Sequence, residues 1–266
     1  MIEELKRIAR EAGKIMLESK DFGIYSKGTA ANYVSDIDIK VENFLRERLL
    51  ALCPAAAFIG EESAENDYGA DKQWIVDPID GTANFVRGMD MSAVSIAFAE
   101  NGAVTAGAVY NPYLDRMFYA EKGGGAYMNG GRIYVSERPL ENSVFSIAMS
   151  VYKKEYAPMC FDLAERIHMQ CEDIRRIGSA AIELCNLAAG KTEMFFEARL
   201  YPWDYAAASL FISEAGGYIG TMSGGLVYDK VIPVIAANSK ESFDLLQNEA
   251  QDCFAACADL INGETI

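Results

Sequence analysis

The run Gln73-Trp74-Ile75-Val76-Asp77-Pro78-Ile79-Asp80-Gly81-Thr82 constrains this chain more than any other segment. A compact, mainly apolar stretch stops at two carboxylates, which predicts a buried strand whose carboxyl end opens into an acidic turn. Pro78 has a fixed φ, so the turn has little room to relax. Carboxylates at a buried strand end repel each other and lose hydration, and they persist most readily with a cation between them. The alternative is that Asp77 caps a helix beginning near Gly81. Gly81 lets a ligand oxygen approach the main chain, and a short helix starting there presents free N–H groups and the positive end of its dipole. Cation seat and anion seat would then share one turn. Thr82 adds a hydroxyl that either orients a water or simply closes the turn.

The flanking sequence supplies elements on both sides. Residues 1–20 and 37–50 have helical spacing, the latter through Ile37, Val41, Phe44, Leu45 and Leu49, with the polar loop SKGTAANYVS between them. AAAFIG at 55–60 is strand-like and ends at Glu61-Glu62-Ser63. From Met91 to Tyr127 the pattern is antiparallel sheet, with turns at Glu100-Asn101-Gly102 and Glu121-Lys122-Gly123-Gly124. Strands follow at 144–149 and 193–196, with helices at 156–169, from Gly178-Ser179 up to Gly190, and at 203–215. The expected division is an α+β sub-domain at 1–140 and an α/β sub-domain at 141–266.

Composition narrows the functional classes. Twenty-four Lys and Arg against 39 Asp and Glu give a formal charge of −15. That excludes a phosphate-backbone binder, so no nucleic-acid partner is expected. An anionic substrate needs a local device, and a divalent cation is the obvious one. No stretch reaches the roughly 20 apolar residues that cross a bilayer. The amphipathic start is no signal segment, so no membrane association and a cytoplasmic location are expected. With six cysteines but only one histidine, His168, a zinc site is disfavoured and reduced thiols are expected. His168 lies in a mixed helical segment and reads as a surface residue, not a catalyst.

Three further acidic positions belong to the argument. Glu61 follows a strand and reads as surface or ligand; Asp204, in Pro202-Trp203-Asp204, and Asp38, in Ser35-Asp36-Ile37-Asp38, read as helix caps or ligands. GEES at 60–63, WIVDPIDGTANFV at 74–86 and PWDYAAASLFISEAGG at 202–217 resemble, in order and spacing, the signature segments of the inositol monophosphatase family of magnesium-dependent, lithium-sensitive phosphatases. NYVSDIDIKVE at 32–42 and RRIGSAAIELCNLAAG at 175–190 extend the likeness over nearly the whole chain.

The resemblance implies an α+β fold, a layered αβαβα sandwich of the sugar-phosphatase type, with metals at the junction of two sub-domains. It makes Glu61, Asp77 and the carbonyl of Ile79 ligands of one Mg²⁺, and Asp77, Asp80 and Asp204 ligands of another. Thr82 and Asp38 would position the attacking water alongside Glu61. Gly81 and Thr82 would seat the phosphate, while Asp80, Ala180, Glu197 and Asp204 would meet the rest of the substrate. Four ligand carboxylates carry −4 and a phosphate monoester adds about −2, so two or three Mg²⁺ bring the loaded site near neutrality. The implied reaction is metal-assisted hydrolysis of a small phosphate monoester, myo-inositol 1-phosphate by default, in a homodimer. Fructose-1,6-bisphosphatase and nucleotide 3′-phosphatase or NADP phosphatase branches are the alternatives within the class, and a regulatory binding protein the alternative outside it. Ser35 stands where the family usually has threonine. Arg199-Leu200-Tyr201 replaces a stretch that often carries a histidine, and Arg199 reads either as an ordinary solvated arginine or as a positive charge near the pocket mouth that would favour a substrate with a second phosphate.

Overall fold

The computed structural model describes residues 1–19, 23–26, 33–149, 153–257 and 264–265. Helix α1 (Ile2–Glu18) buries Leu5, Ile8, Ala9, Ala12 and Met16, one stripe at helical spacing. A short hairpin, β1 (Ile24–Ser26) with β2 (Tyr33–Ser35), stands where a loop was expected. The rest of that expected loop, 27–32, lies outside the described residues. Helix α2 (Asp36–Leu52) starts on a capping box: Ser35 accepts from the Ile37 and Asp38 amides, and Asp38 accepts from the Ser35 amide.

The first sheet runs β3 (Ala57–Gly60), β4 (Lys72–Asp80), β5 (Ala93–Glu100), β6 (Ala103–Asn111), β7 (Arg116–Glu121), β8 (Ala126–Met128) and β9 (Gly131–Ile133), in sequence order. Only β3 and β4 are parallel. Strand β4 does not stop at Asp77 as its apolar run suggested. It continues to Asp80 through a register shift against β5 between Asp77 and Asp80. Pro78 has no N–H to give the ladder, so the strand bulges there and re-pairs beyond it. Helix α3 (Thr82–Val86) follows at once.

The second sheet holds β10 (Val144–Ala148), β11 (Asp173–Arg175), β12 (Met194–Leu200), β13 (Tyr218–Gly220), β14 (Lys230–Ala237) and β15 (Glu264–Thr265). Its order is β11-β10-β12-β14-β13, with β15 also on β14. Helices α4 (Ala157–His168), α5 (Ala180–Ala188), α6 (Pro202–Glu214) and α7 (Lys240–Cys253) complete the chain.

Three apolar clusters stack these elements into α/β/α/β/α layers. The first packs α1 and α2 on one face of the first sheet, through Leu5, Ile8, Val41 and Leu45 against Trp74, Val76 and Ile96. The second fills the middle, where α5 and α6 lie between the sheets, and it joins Ile75 and Val109 to Leu184, Phe211, Phe195 and Val234. The third sets α4 and α7 on the outer face of the second sheet through Leu163, Ile167, Phe196 and Leu246. Helix α6 is apolar all round, and ten of its residues are buried, because sheets cover it on both sides. Its alanines let it come close: a Cβ on Gly107 of β6 would sit 3.2 Å from Ala207 Cα and 3.3 Å from the Phe211 ring. None of the helices among the described residues is long and apolar enough to cross a membrane.

Gly107→Val forces three heavy atoms into that contact. It should destabilise the fold by about 1–3 kcal/mol, the usual penalty for overpacking, read as a fall in the urea midpoint. An unchanged midpoint would contradict the tight seating of α6 on β6.

Candidate active site

The bulge in β4 turns Asp77 and Asp80 toward the start of α6. Carboxylate oxygens of Asp77, Asp80 and Asp204 all lie within 4.8 Å of one another. Asp77 is 2 % and Asp80 5 % exposed. At such separations each pair of ionised carboxylates repels by about 3.5 kcal/mol with an effective dielectric near 20. Burial, and then the charges of Glu61, Asp80 and Asp204, push the Asp77 carboxyl well above the usual range. Burial raises Asp80 to about 7 against hydrogen bonds from Ser179 and Ala181. Asp204 is raised by burial and by the charges of Asp80 and Glu61.

Backbone geometry holds these groups together despite the repulsion. Asp204 sits in the first turn of α6, where it accepts from the Tyr201 amide at 2.7 Å. Its capping and clustering roles coexist. Asp80 Oδ2 accepts from the Ser179 hydroxyl and from the Ala181 amide at 3.0 Å, both at the start of α5. The Ala180 amide also faces it and favours its ionised form. Asp38, fully buried in the first turn of α2, accepts from the Thr82 hydroxyl at 3.1 Å. That hydroxyl lies equally close to the Ile79 carbonyl, at 3.1 Å. Helices α2, α5 and α6 thus bring their positive ends to one acidic centre.

A cavity of about 480 Å³ opens over this centre, lined by Glu61, Asp77, Ile79, Asp80, Gly81, Thr82, Ala180, Glu197 and Asp204. Every expected site residue except Asp38 lines it, and Asp38 touches it through Thr82. Glu61 lines the cavity but is not one of the three residues grouped within 4.8 Å. It is held from behind: Glu42, 5 % exposed, accepts from the Glu62 amide and the Ser63 hydroxyl, each at 2.8 Å. Gly81 has φ +85°, and a Cβ there would meet Met91 O and Ser179 Cβ at 3.1 Å, so the turn requires glycine. Glu197 on β12 faces the cavity with no hydrogen-bond partner among the described residues, and burial lifts it to about 8. His168 is exposed at the end of α4 and outside the cavity. All six cysteines are free.

The donor set fits a hard divalent cation. It is all oxygen, with Asp77 and Asp80 buried and Asp204 half-buried, and none of the three clustered aspartates forms an ion pair with lysine or arginine among the described residues. Carboxylates with carbonyl oxygens suit Mg²⁺, Ca²⁺ or Mn²⁺, whereas zinc and copper favour nitrogen and sulfur.

The sequence pattern defining the inositol monophosphatase family matches residues 1–255. This chain belongs to the inositol monophosphatase family. It is 36% identical over 234 residues to an inositol-1-monophosphatase of Mesorhizobium japonicum, covering 85% of this chain and 86% of that one. It is 34% identical over 254 residues to the Nus factor SuhB of Escherichia coli, covering 93% and 95%. A solved inositol monophosphatase from Thermotoga maritima superposes with a TM-score of 0.85 at 30% identity, covering 94% of this chain and 96% of that one. The αβαβα sandwich expected of the family is the fold observed.

The cavity of this family member also contains groups that motif reading passed over. Ser179, Asn84, Arg87, Arg176 and Glu183 all line it. Ser179 carried a signal, since a serine directly before an alanine-rich helix is an N-cap. Asn84, whose amide donates to the carbonyls of Met91 and Ile177, carried none.

These buried acids make metal-free stability depend on pH. Asp80 and Glu183 at about 7 and Glu197 at about 8 bind their protons more tightly folded than unfolded. Between roughly pH 4 and pH 8 the fold therefore holds more protons than the unfolded chain and loses stability as pH rises. In EDTA the melting temperature should fall across this window, and saturating Mg²⁺ should reduce the fall. A melting temperature that rises from pH 5 to pH 8 in EDTA would contradict the buried acidic cluster.

Proposed function

We propose that this chain is a Mg²⁺-dependent phosphoric monoester hydrolase acting on a sugar or polyol phosphate, with myo-inositol 1-phosphate as the default substrate. The observation that carries the reading is the convergence of Asp77, Asp80 and Asp204 beside Gly81 and Thr82 in one cavity. A cation store has no need of the second feature; a phosphatase needs both.

Asp77, Asp80 and Asp204, with Glu61 and the Ile79 carbonyl, are the proposed holders of two or three Mg²⁺. When bound, Mg²⁺ lowers the pKa of the attacking water and offsets charge on the transferring phosphate and leaving oxygen. The chain's own residues do the rest. Asp38 accepts the Thr82 hydroxyl proton, which leaves the lone pairs of Oγ1 to accept from the nucleophilic water. Glu61 receives the proton that the water gives up. The Gly81 and Thr82 amides seat the phosphate. Glu197, an open acceptor, takes substrate hydroxyl groups, alongside the Ala180 amide and the outer oxygens of Asp80 and Asp204. We also propose that residues 1–140 and 141–266 act as two sub-domains, and that the chain is a cytoplasmic homodimer.

Thr82→Ala should lower kcat by roughly a hundredfold or more, the usual worth of a group that handles the water's proton, while KM changes little. Asp80→Asn and EDTA should each abolish turnover. The panel is myo-inositol 1-phosphate, fructose 1,6-bisphosphate, 3′-phosphoadenosine 5′-phosphate and NADP. A clear preference for the first supports the default substrate, and preference for another transfers the assignment to that branch. Activity undiminished in EDTA would sink the metal-dependent reading.

The name of the Escherichia coli relative, Nus factor SuhB, favours a second reading, a regulatory binding role. At a net charge of −15 a basic protein surface suits this chain better than nucleic acid. Asp80→Asn separates the two, because a binding role survives the loss of turnover.

A further inference from the structure

Glu183 is 1 % exposed and forms no ion pair with lysine or arginine among the described residues. Arg176 acts on it only through space. A buried carboxylate without a counter-charge is unfavourable, and an apolar side chain of similar size would serve the core better. What Glu183 does have is a pair of backbone donors. Its Oε1 accepts from the amides of Ile177 and, at 3.1 Å, Gly178.

Those amides do not belong to the helix that carries Glu183. Helix α5 is already capped by Ser179, whose hydroxyl accepts from the Ile182 amide at 3.3 Å. Glu183 therefore reaches past the cap and ties down the turn before it. The same turn is pinned on a second side by Asn84, which donates to the Ile177 carbonyl at 2.9 Å. On a third side it abuts Gly81, where even one added carbon would meet Ser179 Cβ at 3.1 Å. The turn has no slack. Its product is the grip on Asp80 by the Ser179 hydroxyl and the Ala181 amide.

We propose that Glu183 is a positioning residue: it holds the 177–179 turn in the shape that lets Ser179 and Ala181 aim the Asp80 carboxylate into the cluster, and so sets the affinity of that cluster for a divalent cation. The inference rests on the metal-site reading above and adds to it a group outside the proposed metal ligands, one that acts through the backbone turn before α5. It also gives the buried acid a reason, because its side-chain oxygen satisfies two backbone amides of the turn.

The test is calorimetric titration of Mg²⁺ into the EDTA-stripped full chain for wild type, Glu183→Gln, Glu183→Asp and Glu183→Ala, with thermal melts of each in EDTA. Glu183→Gln keeps an acceptor of the same reach and should bind Mg²⁺ within about threefold of wild type, while Glu183→Ala should bind at least roughly tenfold more weakly, the scale of losing a hydrogen bond to a charged group. A purely structural role would lower the EDTA melting temperature and leave the Mg²⁺ constant alone. Glu183→Ala within twofold of wild type overturns the proposal, as does Glu183→Gln weakened as much as Glu183→Ala. If Glu183→Ala does not fold, Glu183→Asp decides: its shorter carboxylate should weaken binding while Glu183→Gln does not, and equal binding by all three folded proteins overturns the proposal. Wild-type protein that takes up no Mg²⁺ removes the metal site itself and this inference with it, an outcome distinct from equal binding by the variants.

Discussion

Mutual repulsion among Asp77, Asp80 and Asp204 is the constraint around which the rest of this structure is arranged. Three carboxylates within 4.8 Å of one another, two buried and one half-buried, would separate if their backbones allowed it. Asp77 and Asp80 cannot, because they flank Pro78 in a bulged strand covered on both faces. Asp204 cannot, because α6 is clamped between two sheets. Fold stability elsewhere thus holds together an unfavourable charge arrangement that a cation would relieve. This is the usual relation between a rigid scaffold and a strained site.

The scaffold also moderates the strain it imposes. The first turn of α2 contributes Asp38 to Thr82, the start of α5 contributes Ser179 and Ala181 to Asp80, and the first turn of α6 contains Asp204 itself. Each helix directs its N-terminal dipole at negative charge, worth a few tenths to about 2 kcal/mol apiece. Behind these contacts stand further acids: Glu42 near Glu61, which accepts from the Glu62 amide and the Ser63 hydroxyl, and Glu183 beneath Ser179, which accepts from the Ile177 and Gly178 amides. The site is therefore two shells of carboxylates, the inner facing the cavity and the outer holding the turns that aim it.

Kinship with both an inositol-1-monophosphatase and a Nus factor is compatible with one geometry. The inner acids, Gly81 and Thr82 line the cavity together with Arg87, Met89, Arg176 and Arg199, which do not join the acidic cluster. Arg199 stacks on Tyr201, which stacks in turn on Trp203, so this stretch presents an arginine to the cavity from an aromatic stack next to Asp204.

Much of this was legible in the chain itself, for a physical reason. A buried strand announces itself by apolar residues, a turn by Pro and Gly, and helix starts by Ser35 and by Pro202-Trp203-Asp204, because these are local steric and hydrogen-bond preferences. Glu61, Asp77 and Asp204 could be singled out in this way as surface groups, helix caps or candidate ligands, and only the family likeness joined them into one proposed ligand set. What local preference cannot express is distance across the fold. That β4 runs on past Pro78, that Ser179 and Ala181 close on Asp80 from a hundred residues away, that Asn84 ties α3 to the turn before α5, and that Glu183 is a buried brace in place of a solvated helix acid, all depend on α5 and α6 being packed between two sheets. Those contacts arise only when separated segments share one core, and only the tertiary structure decided them.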